Sequence, residues 1–267
     1  MDRCNDPYRQ EQLMSAPFRL LVLLATIWSF GASAEPGLSK CDTITYEALS
    51  QHFKLPALGS KVVSGACKAW PDDPSLTLAA VAYDSGTADE KSLLVAMVQK
   101  EPQRVIASYE TSILEDAVTE VGANSLQLDT APYRLAANTR AFGVRFESTA
   151  RGASCGEASW NDELTLYVPA GQELLPVLTL SMWKMRALKG CLSAWSPEAI
   201  LETVTLTLSV AKTTSHGFAD LLATAAISTS ANDETTRVAK PRTEHYVLRY
   251  NGNEYQKDGK ARWWLRF

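Results

Sequence analysis

Three residues stand in the order of a serine-hydrolase triad. Ser154 occupies the serine position of G-x-S-x-G in "GASCG" (152–156), and Asp162 and His216 follow in the chain order of the α/β-hydrolases. That chemistry needs a strand-to-helix turn at the serine, because the helix and its amides form the oxyanion hole. Here the motif lies between two strand-like patterns. We therefore keep a serine hydrolase using Ser154 as an alternative, and expect no catalytic site.

A second candidate lies in "TSHGFADLLATAA" (214–226), which reads like the close of a calcium loop entering a strand. Calcium takes six to eight oxygen ligands, and Asp220 is the only acid in this turn. His52, His216 and His245 show none of the paired spacings of zinc sites. The sequence predicts no metal and no cofactor. It predicts a turn in which Gly217 supplies backbone freedom, Phe218 anchors in the core and Asp220 accepts hydrogen bonds from loop amides.

The first 34 residues have the features of a signal peptide. An apolar run at 20–30, "LLVLLATIWSF", follows Arg19, and Ala-Ser-Ala at 32–34 fits a cleavage site. Met14 offers an alternative start with a conventional charged region. An uncleaved anchor helix is the other interpretation, and it would be the chain's only contact with a membrane. The segment predicts a periplasmic or secreted protein.

Four cysteines remain beyond this leader: Cys41, Cys67, Cys155 and Cys191. An even number in an exported chain predicts two disulfides, and three connectivities are open. We favour the two sequence-local pairs, Cys41–Cys67 and Cys155–Cys191. Zinc binding is the weaker interpretation, because no CxxC pair is present.

Patterns of hydrophobicity predict an all-β domain over 35–267. Residues 42–54 read as one short N-terminal helix that begins at an Asp42 cap. Beyond it, short alternating segments divided by turn residues indicate an antiparallel sandwich or propeller-like sheets. Ile44, Leu49 and Phe53 are the expected apolar face of the helix. The net charge of −4 gives no basic surface for nucleic acid.

Two stretches carry a resemblance to known families. "HGFADLL" (216–222) and "YVLRYNGNEYQ" (246–256) resemble the FG-GAP-like pattern of exported bacterial β-proteins and elements of lysozyme-inhibitor-type proteins. "DTAPYRLAANTRAFGVRF" (129–146) is similar to a stretch of uncharacterised exported proteins of Gram-negative bacteria. The resemblance implies a β-rich periplasmic fold that binds protein, and it assigns no catalytic residues to this sequence. Our leading hypothesis is a non-catalytic binding protein, such as an inhibitor or immunity protein for a cell-wall hydrolase or a toxin.

Aromatic and arginine residues are the candidates for contact with that partner, since such residues dominate interface energetics. They are Tyr133, Arg134, Trp160 and the hairpin at 251–256. The C-terminal "RWWLRF" (262–267) alternates like the last strand of an outer-membrane β-barrel, which is a third hypothesis. The favoured interpretation is an aromatic edge that packs onto the body of the fold.

Overall fold

The computed structural model describes residues 41–193, 195–257 and 262–266. The predicted signal peptide lies outside these ranges. Within them, no helix is long and apolar enough to span a bilayer.

The predicted helix is present as α1 (Thr43–His52). Asp42 caps it as expected, because its carboxylate accepts a 2.7 Å hydrogen bond from the amide of Thr45. Leu49 is fully buried, whereas Ile44 is 57% exposed, so the expectation that Ile44 faces the core is wrong. A four-residue helix, α2 (Leu58–Lys61), follows and was not predicted.

Twelve strands account for most of the remaining chain and confirm the all-β prediction. Their bounds are β1 Val62–Trp70, β2 Asp73–Tyr83, β3 Glu90–Gln99, β4 Arg104–Leu114, β5 Leu126–Ala136, β6 Thr139–Phe146, β7 Ala158–Ala170, β8 Glu173–Lys189, β9 Ile200–Ser215, β10 Phe218–Ala231, β11 Arg242–Tyr250 and β12 Tyr255–Gln256.

Neighbours in sequence pair antiparallel along almost the whole sheet system, from β1 to β4 and from β5 to β12. The single exception is a parallel contact between β4 and β8, which consists of one residue pair, Ser108 and Glu173. Within the described residues the path is open, because β1 and β12 each pair with one strand only.

The core residues divide this path into three sheet layers. The first layer is β1–β4, the middle layer is β5–β7 with the beginning of β8, and the third layer is β9–β11 with the end of β8. Neighbouring residues of β6 show the division: Phe142 packs among first-layer side chains, and Ala141 packs among third-layer side chains. The outer face of the first layer is covered by α1 and α2 around Leu49 and Leu58. Both faces of the middle layer are therefore buried over most of their area.

The two sequence-local disulfides are confirmed. Cys41–Cys67 ties the start of α1 to β1, with Cα atoms 4.8 Å apart. Cys155–Cys191 ties the loop before β7 to the loop after β8, with Cα atoms 5.1 Å apart. Two disulfides indicate an oxidising, extracellular-type environment.

The turn at 215–218 is a two-residue β-hairpin loop. His216 and Gly217 have φ angles of 47° and 87°, and Ser215 pairs with Phe218 across the turn. Two positive φ angles are the signature of a type I′ turn. Phe218 stacks on Tyr250 with ring centroids 4.5 Å apart, as the anchoring prediction required. The prediction for Asp220 is wrong: its buried carboxylate accepts from the Thr213 hydroxyl at 2.6 Å rather than from loop amides.

Substituting Gly217 with alanine should lower the free energy of unfolding by about 1–2 kcal/mol, because an L-residue is strained at this positive φ. Gly59→Ala is the matched control: a Cβ meets nothing within 4 Å at either position, and only Gly217 has a positive φ. Chemical denaturation of both variants measures the difference. Equal stabilities of the two would contradict the strain argument.

The C-terminal segment packs on the body, as favoured, but the strand-like alternation expected for Trp263, Leu265 and Phe267 is wrong. Trp263–Leu265 form a 3₁₀ turn, so neighbouring rather than alternate residues are buried. Trp264 and Leu265 are each 1% exposed and join the core between the middle and third layers. Phe267 lies outside the described residues.

Candidate functional site

The residues of the predicted triad lie in different parts of the molecule, and Asp162 and His216 each have another partner. Ser154 is exposed in the loop before β7. Asp162 forms a bidentate ion pair with Arg145, in which Nε of Arg145 donates to Oδ1 of Asp162 at 2.7 Å. His216 makes a 2.9 Å hydrogen bond through Nδ1 to the carbonyl oxygen of Tyr250.

The length of β9 separates Ser154 from His216. Cys155 is bridged to Cys191, and the chain just beyond that bridge enters β9 at Ile200. His216 follows the other end of this strand, 16 residues later. At about 3.3 Å per residue an extended strand of that length spans roughly 50 Å, far beyond the reach of a catalytic hydrogen bond. The fold therefore does not bring the triad together.

The predicted contact residues differ in their exposure. Tyr133 is 5% exposed in the core, and its hydroxyl donates to Asp129 at 3.0 Å. Arg134 is exposed and pairs with Asp72 at 3.1 Å. In the hairpin at 251–256, Tyr255 is 2% exposed and donates its hydroxyl to the carbonyl oxygen of Ala219. Tyr133 and Tyr255 are thus core residues, whereas Arg134 and the rest of the hairpin, including Glu254 and Gln256, are exposed.

Trp160, the third predicted contact residue, stands at the mouth of a groove of about 450 Å³. We call this the β4 groove, because it runs along the end of β4 and over the adjoining face of the middle layer. It is lined by Leu93, Tyr109, Thr111, Ser112, Ile113, Leu114, Val118, Thr119, Val144, Phe146, Ser148, Trp160, Asn161, Glu163, Thr165, Tyr167, Pro176 and Thr179.

The β4 groove exists because β4 and β8 separate. After their contact at Ser108 and Glu173, β4 continues to Leu114 without a strand on that side, among the described residues. The first layer therefore ends at β4, and part of the middle-layer face stays uncovered. A backbone irregularity in β7 lies at the same end: Asp162 has a φ of 58°, and the side-chain oxygen of Asn161 accepts from the amides of Ser148 and Asp162.

Apolar side chains surround the mouth of the groove. Leu114 is 68% exposed, and Val118 and Trp160 are each 46% exposed. A second cavity of about 220 Å³ shares Val118 and Trp160 with the first and extends past Arg151 towards Leu192. Exposed apolar side chains that share adjoining cavities are typical of interaction sites rather than of ordinary surface.

The floor of the groove comes from alternate residues of β7, namely Glu163, Thr165 and Tyr167. Tyr167 lies 5.5 Å from Tyr109, centroid to centroid, and the hydroxyls of Thr165 and Thr179 bond each other at 3.1 Å. The polar groups on this floor are therefore few and partly paired.

Glu163 is the only charged side chain among the described lining residues, and its side chain reaches the open groove. The structure gives its carboxylate neither a hydrogen bond nor an ion pair within the described ranges. Displacement of water by the surrounding walls raises the pKa of Glu163, although Lys257 and Lys184 oppose the shift. Glu163 is nevertheless an exposed residue, so its carboxylate stays accessible to solvent and to a ligand.

Lys184 of β8 is a buried cation that contacts the C-terminal segment. It is 3% exposed and donates to the carbonyl oxygen of Arg266 in the C-terminal segment. Burial lowers the pKa of Lys184 to about 8, with a further contribution from Lys257.

Nowhere in the described part of the chain do three or more histidine, cysteine or acidic side chains gather in a way that could hold a metal ion. No protein-family model matches the chain. No curated protein and no solved structure matches it either.

Proposed function

We propose that this chain is an exported, non-catalytic binding protein that takes part of a protein partner into the β4 groove. The observation that carries the proposal is the groove itself: an aromatic cavity whose mouth is rimmed by exposed Leu114, Val118 and Trp160. Large aromatic side chains in a concave site supply binding energy at a small entropic cost.

The chemistry of the lining favours binding over catalysis. Among the described lining residues there is neither histidine nor cysteine. A hydroxyl nucleophile needs a base within hydrogen-bond reach. Thr165 and Thr179 are bonded to each other, and Glu163 is bonded to neither. The groove therefore has acceptors and ring faces for a ligand, without a paired nucleophile and base.

The compartment and the class of partner belong to the proposal. The predicted signal peptide and the two disulfides support a periplasmic location. The resemblance to lysozyme-inhibitor-type proteins favours a cell-wall hydrolase or a toxin as the partner, with this chain as its inhibitor or immunity protein.

The proposal is tested by photocrosslinking in the producing cell. Replacing Trp160 with p-benzoylphenylalanine should give, on irradiation, a discrete adduct with one protein. Replacing Ile44 in the same way is the matched control, because Ile44 is comparably exposed but lies on α1, across the first layer. The adduct should be lost when the unmodified protein is co-produced in excess in the same cells.

Mass spectrometry of the adduct then identifies the partner, and the purified partner's activity should fall when this protein is added. Identical adduct patterns at positions 160 and 44, or adducts with lipid alone, would overturn the proposal. A protein adduct whose partner is neither a hydrolase nor a toxin would retain the groove and reject the inhibitor role.

A further inference from the structure

The end of β4 is a free sheet edge. Residues 108–114 pair with β3 on one side without irregularity, and only Ser108 has a strand on the other side. In an antiparallel pair, the amides of alternate residues point away from the partner strand. Two hydrogen bonds fix which ones: the Ser108 amide donates outward to Gln172, and the Glu115 amide donates inward to Asp89. Glu110 and Ser112 therefore present outward amide and carbonyl groups.

These outward groups face the β4 groove. Both alternating sets of β4 residues line it, with Tyr109 and Ile113 from one set and Ser112 and Leu114 from the other. A cavity that meets both sets touches the edge of the strand as well as its face. A strand added to this edge would extend the first layer over the uncovered part of the middle layer. Alternate side chains of that strand would point down to Glu163 and Thr165.

Charge decides which side chain fits there. Glu163 is the single charged group in the described lining and forms no hydrogen bond or ion pair among the described residues, although the Lys257 and Lys184 ammonium groups act on it from outside the lining. Phe146, Trp160 and Tyr167 line the same groove. A carboxylate beside aromatic faces suits an ammonium or guanidinium group, which can pair with the carboxylate and contact the rings. The main-chain groups of Glu110 and Ser112 need amide and carbonyl partners, which an acyl chain lacks.

We propose that β4 binds an extended peptide segment of the partner as an additional strand, with a lysine or arginine of that segment placed on Glu163. This inference rests on the proposed function and defines the ligand of the same groove. Affinity comes from main-chain hydrogen bonds to β4, and selectivity comes from the basic side chain on Glu163 and from apolar neighbours against Tyr109 and Tyr167.

The test is a selection from a phage-displayed random octapeptide library against the purified, disulfide-intact protein. The recovered peptides are then synthesised with blocked ends and their affinities are measured by calorimetry. We expect the selected peptides to share one lysine or arginine flanked by alternating apolar residues. Replacing that basic residue with glutamate should weaken binding at least tenfold.

Two variants assign the contacts. Ser112→Pro removes the outward amide at an edge position, where proline is tolerated, and should weaken every selected peptide at least tenfold. Ser112→Ala keeps the amide and separates its effect from that of the hydroxyl. Glu163→Gln should reduce the preference for lysine over norleucine to within twofold. Thermal unfolding of each variant establishes that it is folded.

Several results would overturn the inference. These are a selection without enrichment, enriched peptides that lack a basic residue, or full binding by Ser112→Pro. Binding of a fatty acid that displaces the peptides, or a Ser112-dependent dimer at the working concentration, would assign the edge to a lipid or to a second copy. Each of these results is independent of the crosslink at Trp160, so the proposed function can stand while this inference fails.

Discussion

Trp264→Ala is expected to lower the free energy of unfolding by about 3–5 kcal/mol, the cost typical of deleting a large buried aromatic side chain. Trp264 is 1% exposed in the core between the middle and third layers. Its indole N–H donates to Glu244 at 3.2 Å, so the substitution also removes a hydrogen bond to a charged acceptor. Denaturant titration followed by circular dichroism measures the loss.

The neighbouring tryptophan provides the control. Trp263 is half-buried, and the guanidinium carbon of Arg186 lies 4.3 Å from its ring centroid. Such a partly exposed cation–π contact is worth about 1 kcal/mol, so Trp263→Ala should cost much less than Trp264→Ala. Similar losses for the two variants would contradict the conclusion that Trp264, and not Trp263, is the core tryptophan of the 3₁₀ turn.

A chain of ion pairs explains how the C-terminal segment is held on the third layer. Glu244 of β11 accepts from Arg262 at 2.7 Å and from Arg242 at 3.1 Å. Arg242 also pairs at 2.9 Å with Glu202 of β9, whose side chain is 5% exposed. After removal of Trp264, the segment 262–266 would be held by these partly exposed ion pairs, which are individually weak, together with buried Leu265 and the Lys184 hydrogen bond to Arg266.

Local patterns in the sequence predicted the features that depend on neighbouring residues. The Asp42 cap, the period-two strands and the turn at His216–Gly217 each follow from a few adjacent side chains. The disulfide pairing could also be predicted, because sequence-local pairing of cysteines suits a chain of short antiparallel strands. The exposure of Ile44 was missed, because α1 contacts the first layer along a narrower face than its apolar pattern indicates.

The layering and the groove depend on distant parts of the chain. The sequence gives no local signal that β4 and β8 meet at one residue pair and then diverge. One signal was present in "ELTLYVP" (163–169), where glutamate, threonine and tyrosine alternate with leucine, leucine and valine. When the more polar face of such a strand is turned towards a groove instead of open solvent, its side chains can line a binding site. Trp160 alone of the predicted contact residues lies in the groove.

Tyr133 illustrates why residue type alone misled. Tyrosine is common both at interfaces and in cores where its hydroxyl finds an acceptor. Asp129, four residues earlier, supplies that acceptor, and the buried tyrosine then has a raised pKa because of burial and the nearby negative charge. A tyrosine close in sequence to an acid on the same strand is compatible with either role until the layers are known.

Removing the second disulfide should have an effect of similar size and should also reach the site. The double variant Cys155→Ala, Cys191→Ala is expected to lose about 3–4 kcal/mol of unfolding free energy, because the bridge closes a long loop of the unfolded chain. The sequence separation is 36, against 26 for Cys41–Cys67, so removing either bridge should cost a similar amount. Denaturant titration of both double variants measures these losses.

The two bridges should differ in their chemistry and in their effect on binding. Cys155 is exposed, whereas Cys41 and Cys67 are 8% and 7% exposed, so a thiol reductant should open Cys155–Cys191 at least ten times faster in the folded protein. Timed alkylation and mass spectrometry measure the two rates.

The exposed bridge also lies beside the proposed site. The amide of Leu192 donates a 2.8 Å hydrogen bond to the carbonyl oxygen of Gly156, and both residues line the second cavity beyond Trp160. Opening Cys155–Cys191 should therefore weaken the crosslink at Trp160, while loss of Cys41–Cys67 at equal stability should leave the crosslink intact. If loss of Cys41–Cys67 weakened the crosslink and opening of Cys155–Cys191 did not, the binding site would lie on the helical side of the first layer.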